Sequence, residues 1–342
     1  MYNNKNYKRD ISYTYELNRF FLRILGVWPN ANKKICLLQK LTKSVLIFGC
    51  YFILCCDLIS VLLYIFVVQK ETRARIKVIG VVLFMIVSIL KYSNMLYVEN
   101  QMKDCLACVE KDFQSVTSST ERNTMLFHVK TSRHLLILCG IFMYGAGMTY
   151  RTAIPLSRGK IVTAQNITIR PLPCPAYYVV FDPQISPAYE IVFFVQCFTG
   201  FISFLDMVQG VVHFSSFVEL VACTSILCLM IYCLIMEWEA SNAVAICTYC
   251  ILVMSFTFNT FIYCFIGEQL SEKGEEVAWT ACTLDWHLLP DANVRALILI
   301  MLMCNKTMKL KAGNYLELSF RTFGSVVKTG VGYLNLLRSV VD

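Results

Sequence analysis

Long apolar runs divided by short charged stretches set the pattern of this chain. Ser44 to Val68 is apolar with Asp57 as its only charge, and Val78 to Val98 follows after the basic turn Lys70 to Lys77. Leu135 to Tyr150 is a shorter third run, and Ala243 to Ile266 is a clean uncharged one. Ala188 to Met236 is apolar almost throughout, with Glu190, Asp206 and Glu219 inside it and no polar turn to divide it. A last run, Leu318 to Leu337, is weakly amphipathic and carries Arg321 and Lys328. A helix rises about 1.5 Å per residue and needs roughly 20 apolar residues to cross a bilayer core. Lipid also demands that each crossing segment satisfy its own backbone hydrogen bonds. The pattern predicts an all-α polytopic membrane protein, a bundle of seven transmembrane helices if Ala188 to Met236 crosses twice.

The stretches between the runs complete the plan. Glu99 to Arg133 is a polar linker of mixed sign, expected to be helical at its ends. Arg151 to Pro187 holds Pro155, Pro171, Pro173, Pro175, Pro183 and Pro187. Proline has no N–H to donate, so this stretch reads as an irregular loop and not a helix. Gly267 to Arg295 reads as an acidic polar loop. The division is an N-terminal segment over 1–43, spans one to six over 44–266 with the loop 151–187 among them, a loop and helix over 267–317, and the last span with a short C-terminus over 318–342.

Composition agrees with a lipid environment. The chain is 57% apolar and only 16% charged, against roughly 25% charged in soluble domains. Met1 to Lys43 offers no apolar segment ahead of a small-residue cleavage site, so the first span is expected to direct insertion. The net charge of +8 fits orientation and anionic lipid headgroups, and nothing reads as a nucleic-acid module. Nine Lys and Arg against Asp10 and Glu16 in the first 43 residues place the N-terminus in the cytoplasm. Seven crossings then put the C-terminus outside. The loop 151–187 also falls outside, where its sequon Asn166-Ile-Thr168 is a glycosylation acceptor, and Asn305-Lys-Thr307 falls inside. Lys70, Arg73, Arg75 and Lys77 oppose this orientation, and the longer N-terminal cluster outweighs them.

Little catalytic chemistry is visible. Many of the 17 cysteines lie inside apolar runs, where they act as small hydrophobes. Two C-x-x-C pairs, Cys105 with Cys108 and Cys247 with Cys250, lack a second pair or histidines at zinc spacing. The four histidines form no metal motif, and no nucleophile stands at recognisable spacing from a base. An enzyme, a metal site and a cofactor are therefore not expected. Asp57 and Asp206 are intramembrane carboxylates, costing about 2.5–3.5 kcal/mol each at a helix centre, and should face the bundle.

Short signatures carry a resemblance. "NRFFLRILGVWP" (Asn18 to Pro29), "YCFIGEQL" (Tyr263 to Leu270), "DWHLLP" (Asp285 to Pro290) and the C-terminal "LKAGNYLELSFRTFGSVVKTGVGYLNLLR" resemble the insect odorant receptor family. The likeness runs along most of the chain and is strongest from Cys233 onward. One departure stands out: the family's long cytoplasmic segment between spans four and five is missing. "VVHFSSFVELVAC" (Val211 to Cys223) resembles the inner end of span four, and "TSILCLMIYCLIMEWE" (Thr224 to Glu239) the latter part of span five. Span five would then hold only about 15 residues, short for a bilayer core.

The resemblance implies an odorant receptor subunit of a ligand-gated, non-selective cation channel. Its implied partners are a small volatile organic ligand, membrane lipid and a co-receptor subunit completing a hetero-tetramer, with no nucleic acid. Its implied place is the plasma membrane of olfactory sensory neurons. Four copies of the last helix would surround the pore, with Asn335, Leu336 and Val340 at a gate. Glu317 and Arg321, four apart, allow a helix-face pair. The family's pocket projects onto Phe84, Met85, Ser88, Tyr144, Met148, Tyr150, Phe193, Phe194, Cys197, Tyr249, Val253 and Phe256. Each of these residue types equally suits core packing or a lipid-facing position. Two rival readings stay open: a G-protein-coupled receptor-like chemoreceptor of opposite topology, and a shortened member of the channel family that does not conduct. The chain lacks Asp-Arg-Tyr after the third span and Asn-Pro-x-x-Tyr in the seventh.

Overall fold

The computed structural model describes residues 6–29, 37–159, 161–162, 168–179, 181–209, 213–239, 241–284, 290, 294–295, 297–299, 301–302, 311–312 and 316–341. The helices are α1 (Tyr7–Ile24), α2 (Leu37–Leu63, closed by a π turn over Tyr64–Val68), α3 (Thr72–Tyr97), α4 (Glu99–Ser115) and α5 (Ser119–Arg158). They continue as α6 (Ala188–Gln209), α7 (His213–Glu239), α8 (Ala243–Thr283) and α9 (Phe320–Val341). Two antiparallel pairs of two residues each, Ile161–Val162 with Thr168–Ile169 and Lys311–Ala312 with Leu316–Glu317, are the strands among the described residues.

The bundle has two ends. The loop end gathers the π turn, the start of α3, the end of α5, the proline-rich segment, the start of α6 and the junction of α7 with α8. Tyr177 N–H donates to the Ser60 carbonyl there (3.0 Å), and Lys77 Nζ donates to Glu237 Oε1 (2.7 Å). The opposite end is braced by α1. Arg122 grips Asp10 through two 2.7 Å hydrogen bonds, and Lys43 meets Glu99 at 2.6 Å. Tyr92 donates to the Leu25 carbonyl (2.8 Å). Leu22, Leu25 and Val27 close an apolar cluster with Cys50, Leu54 and Met95. The main core joins α3, α5, α7, α8 and α9 around residues such as Met143, Cys223, Ile226 and Cys264.

Five helical segments are long and apolar enough to cross a membrane: Leu37–Val68, Ala74–Tyr97, Ser119–Ser157, Leu220–Glu239 and Ala243–Thr283, with Ala188–Gly200 a shorter apolar helix, among the described residues. Several boundaries correct the reading of the sequence. Helix α5 starts sixteen residues before Leu135, fixed by a capping box in which Ser118 and Glu121 satisfy each other's backbone N–H. It also passes Tyr150 and carries Pro155. Proline is expensive within a helix because it loses the bond to the carbonyl four residues back, here Arg151, but α5 ends three residues later at Arg158, so the disturbance stays near its end. Helix α8 likewise continues to Thr283, into the stretch read as an acidic loop. Gln269 bonds Glu272 (3.0 Å) and Lys273 bonds Glu276 (2.5 Å), side-chain pairs that support an exposed helix. Glu317 stands in a strand ahead of α9, so it and Arg321 do not share a helix face.

The undivided run Ala188 to Met236 forms two helices. The segment from His213 to Cys223, read as the inner end of span four, belongs to α7. Span five is therefore not short: the apolar part Leu220–Glu239 is 20 residues long, about 30 Å of helix. It packs against α3, α8 and α9, whereas α6 packs against α2, α3 and α5. Asp206 lies in α6 with its side chain outside the described residues.

Gly267 permits the closest approach at the opposite end. A Cβ there would run into the Leu318 carbonyl on the lead-in to α9. Gly267→Val should cost about 1–3 kcal/mol through overpacking, read as a lower melting temperature of the purified protein. An unchanged melting temperature would show that the lead-in yields without cost.

Candidate ligand-binding chambers

Two neighbouring spaces lie near the loop end. The inner one is apolar, about 40 Å³, and is lined by Gly80, Val81 and Phe84 of α3, Gly147, Tyr150 and Arg151 of α5, Ile226 and Met230 of α7, and Leu252 and Phe256 of α8. Glycine spacing makes the space. Gly80 precedes Phe84 by one turn, and a Cβ on it would stand 3.0 Å from the Met230 methyl. Phe84 and Phe256 meet edge to face at 6.1 Å, closing the floor.

The outer chamber is about 420 Å³ and sits beneath the proline-rich segment. Its walls include Tyr64, Lys77 and Val78, the end of α5 from Tyr150 to Pro155, and Ile169 to Ala176. It shares Val81 and Tyr150 with the inner space, and Tyr249 adds a second ring at the boundary. The Tyr150 and Tyr249 rings are edge to face at 5.9 Å.

A buried polar system fixes that boundary. Arg151 and Asp57 are almost wholly buried and 3.8 Å apart. The Arg151 guanidinium donates to the Gln196 carbonyl and lies across Gly200, where a Cβ would strike it. The Gln196 amide then clamps the proline-rich segment, accepting from Cys174 N–H and donating to its carbonyl, both at 3.1 Å. Burial pushes the Cys174 thiol up to about 12, which makes it a poor nucleophile.

The expected pocket residues divide among several places. Phe84, Tyr150 and Phe256 line the inner space, and Tyr150 and Tyr249 line the outer chamber. Met85 is fully buried in a different cluster, with Val61, Ile65 and Cys174. Ser88 is buried one turn further along α3, and its hydroxyl has no hydrogen-bond partner among the described residues. Tyr144 stacks near Phe21 at 6.5 Å, and Val253 packs against the main core. Met148 and Phe194 are exposed, Phe194 by 74%, in positions suited to lipid. Phe193 leans on Tyr189 at 6.0 Å, and Cys197 is half-buried. The fourth wall comes from α7 and not α6, and α7 packs against α3 and α8. Ile226 and Met230 were missed for that reason. Asn335, Leu336 and Val340 lie within α9 with side chains outside the described residues, and Asn166 is likewise outside them.

The fold and the chambers define a polytopic α-helical membrane protein with room for a small molecule among its helices. Comparison with known proteins finds likeness to one family. Residues 200–331 match the family model "7tm Odorant receptor". Odorant receptor 10 of Aedes albopictus is 21% identical over 153 residues, 45% of this chain and 40% of that relative. Odorant receptor 47a of Drosophila melanogaster is 25% identical over 97 residues, 27% of this chain and 25% of that relative. The chain thus spans well under half the length of the curated relatives it matches. The insect olfactory receptor OR5 from Machilis hrabei, solved in complex with eugenol, superposes with a TM-score of 0.72 at 13% identity, covering 98% of this chain and 100% of that one. Together these findings show a likeness to insect odorant receptors over part of the sequence, and a fold shared with the olfactory receptor OR5 along nearly the whole chain.

Proposed function

We infer that the chain is an odorant receptor subunit that binds a small volatile ligand in the outer chamber, between α3, the end of α5 and the proline-rich segment. The carrying observation is that chamber of about 420 Å³, bordered by Tyr64, Tyr150 and Tyr249, in a receptor-like bundle. Mostly apolar walls with a few polar groups suit small, sparingly polar molecules. Lipid surrounds the bundle, and the receptor's place is the plasma membrane of olfactory sensory neurons.

The finer reading is a subunit of a ligand-gated, non-selective cation channel, assembled with a co-receptor subunit as a hetero-tetramer. Helix α9 supports it. Val326 and Gly330 face the bundle, whereas Arg321, Ser325, Lys328 and Gly332 follow one exposed face at helical spacing. Polar groups at membrane depth are tolerated where they border water, so this face suits a pore. Asn335, Leu336 and Val340 would form its narrow end. The N-terminus and residues 267–317 are cytoplasmic in this reading, and the proline-rich loop with Asn166 is outside. A second reading, a shortened member that does not conduct, is favoured by the three residues separating α6 from α7. The subunit contacts attributed to the family's longer segment would be absent.

Glycosylation mapping tests the orientation. Asn166→Gln should remove the sugar and Asn305→Gln should leave it, read as a gel shift after expression in eukaryotic cells. Sugar on Asn305 with Asn166 bare overturns the orientation and with it the channel. Odour-evoked current on co-expression with a co-receptor separates the two functional readings: surface delivery without current favours the non-conducting form.

A further inference from the structure

The inner space is too small for a ligand. A dry apolar cavity of about 150 Å³ is what admits benzene, and this one is about 40 Å³. The outer chamber, about 420 Å³, lies within the range of small-molecule sites, about 300–1,000 Å³. Its wall carries an asymmetry of charge: Lys77 and Arg170 are lining residues, and among the described residues no Asp or Glu is.

Both cations are held in place with donors to spare. Lys77 gives one hydrogen bond to Glu237, a residue of α7 that is buried behind the wall. Arg170 stands 3.6 Å from the exposed Glu190 and 5.5 Å from the Tyr189 ring centre. Its backbone is pinned by the Gln184 side chain at 2.7 and 3.2 Å, so the guanidinium's origin is fixed. An ammonium has three donors and a guanidinium five. Around them the wall is proline and tyrosine, surfaces that receive a flat ring.

We propose that the outer chamber is a binding site for small aromatic carboxylates, with the acid group toward Lys77 and Arg170 and the ring toward Tyr150 and Tyr249. This deepens the receptor reading by naming a ligand class for that chamber, but the chemistry is read from the wall itself. A charge-assisted hydrogen bond is about twice as strong as a neutral one, so the acid should be preferred to its neutral counterpart.

The test is equilibrium dialysis of benzoate and benzyl alcohol against the full chain in nanodiscs at neutral pH and low salt. Benzoate should bind about tenfold tighter. Arg170→Gln, at an exposed position that folding tolerates, should weaken benzoate several-fold and leave benzyl alcohol unchanged. The combined Lys77→Met and Glu237→Gln change should do the same without leaving a buried charge alone. Equal binding of the two compounds, or benzoate binding indifferent to both variants, overturns the proposal. So does a failure of both compounds to bind. Odour-evoked current, measured separately with neutral volatiles, decides the receptor reading: current with no benzoate binding keeps the receptor and removes the acid site, and benzoate binding without current does the reverse.

Discussion

Arg151→Met is expected to cost the bundle about 3–5 kcal/mol, the range for removing one partner of a buried ion pair. Asp57 would remain almost wholly buried, with neither carboxylate oxygen hydrogen-bonded among the described residues. Its charge was offset chiefly by the guanidinium 3.8 Å away. The loss would spread beyond the pair. Arg151 holds the Gln196 carbonyl, and the Gln196 side chain holds both backbone groups of Cys174. Releasing that clamp should loosen the proline-rich segment and expose a thiol that is buried in the native protein. Two readouts follow: a marked fall in melting temperature in detergent, and maleimide labelling of Cys174 in the variant but not in the native chain. Adding Asp57→Asn should restore most of the stability, because the pair's removal leaves no lone charge. A drop below about 1 kcal/mol in the single variant, the scale of an exposed pair, would show that water reaches the site and the pair is not structural.

The sequence carried the class of fold plainly and the site only in part. Apolar periodicity and the cost of unpaired backbone in lipid leave few alternatives for runs such as Ser44 to Val68 or Ala243 to Ile266. Their ends are harder to read, because helices continue into water wherever side chains support them. Thus α8 crosses Gly267 on the strength of pairs such as Lys273 with Glu276, and α5 carries Pro155 in its last turn. Asp57 announced itself as a carboxylate that must face the bundle, but its partner was hidden, since Arg151 was read as the first residue of a loop. The chamber was half legible. Phe84, Tyr150 and Phe256 stood out as aromatic residues at suitable depth. Gly80 and Gly147, the residues that leave the space, carried a signal that was passed over: each lies one helical turn before an aromatic wall residue. Ile226 and Met230 could not be found by projecting a family plan, because that plan drew the wall from residues such as Phe193 and Phe194 of α6, and α7 supplies it.

Phe256→Ala should destabilise the protein by about 3–5 kcal/mol and at the same time create a site that the native chain lacks. The ring is 3% exposed and closes the floor of the inner space against Phe84. Truncation removes its transfer energy and leaves a cavity that α3, α5, α7 and α8 can only partly collapse. Joined to the existing 40 Å³, the new void approaches the roughly 150 Å³ at which an apolar cavity admits benzene. Toluene should therefore raise the melting temperature of the variant and leave the native protein unmoved, since a ligand stabilises only the state that binds it. Adding saturating toluene to the variant should recover about 1–3 kcal/mol, corresponding to occupancy at roughly 10 to 100 times the dissociation constant. Tyr150→Phe is the control, because it keeps the ring and alters only the hydroxyl at the boundary with the outer chamber. Equal toluene shifts in native protein and variant would mean that the inner space already opens to ligand size, and that Phe84 and Phe256 move apart at little cost. No shift in either would mean that the helices close over the void, and the inner space would then be packing rather than part of the ligand route.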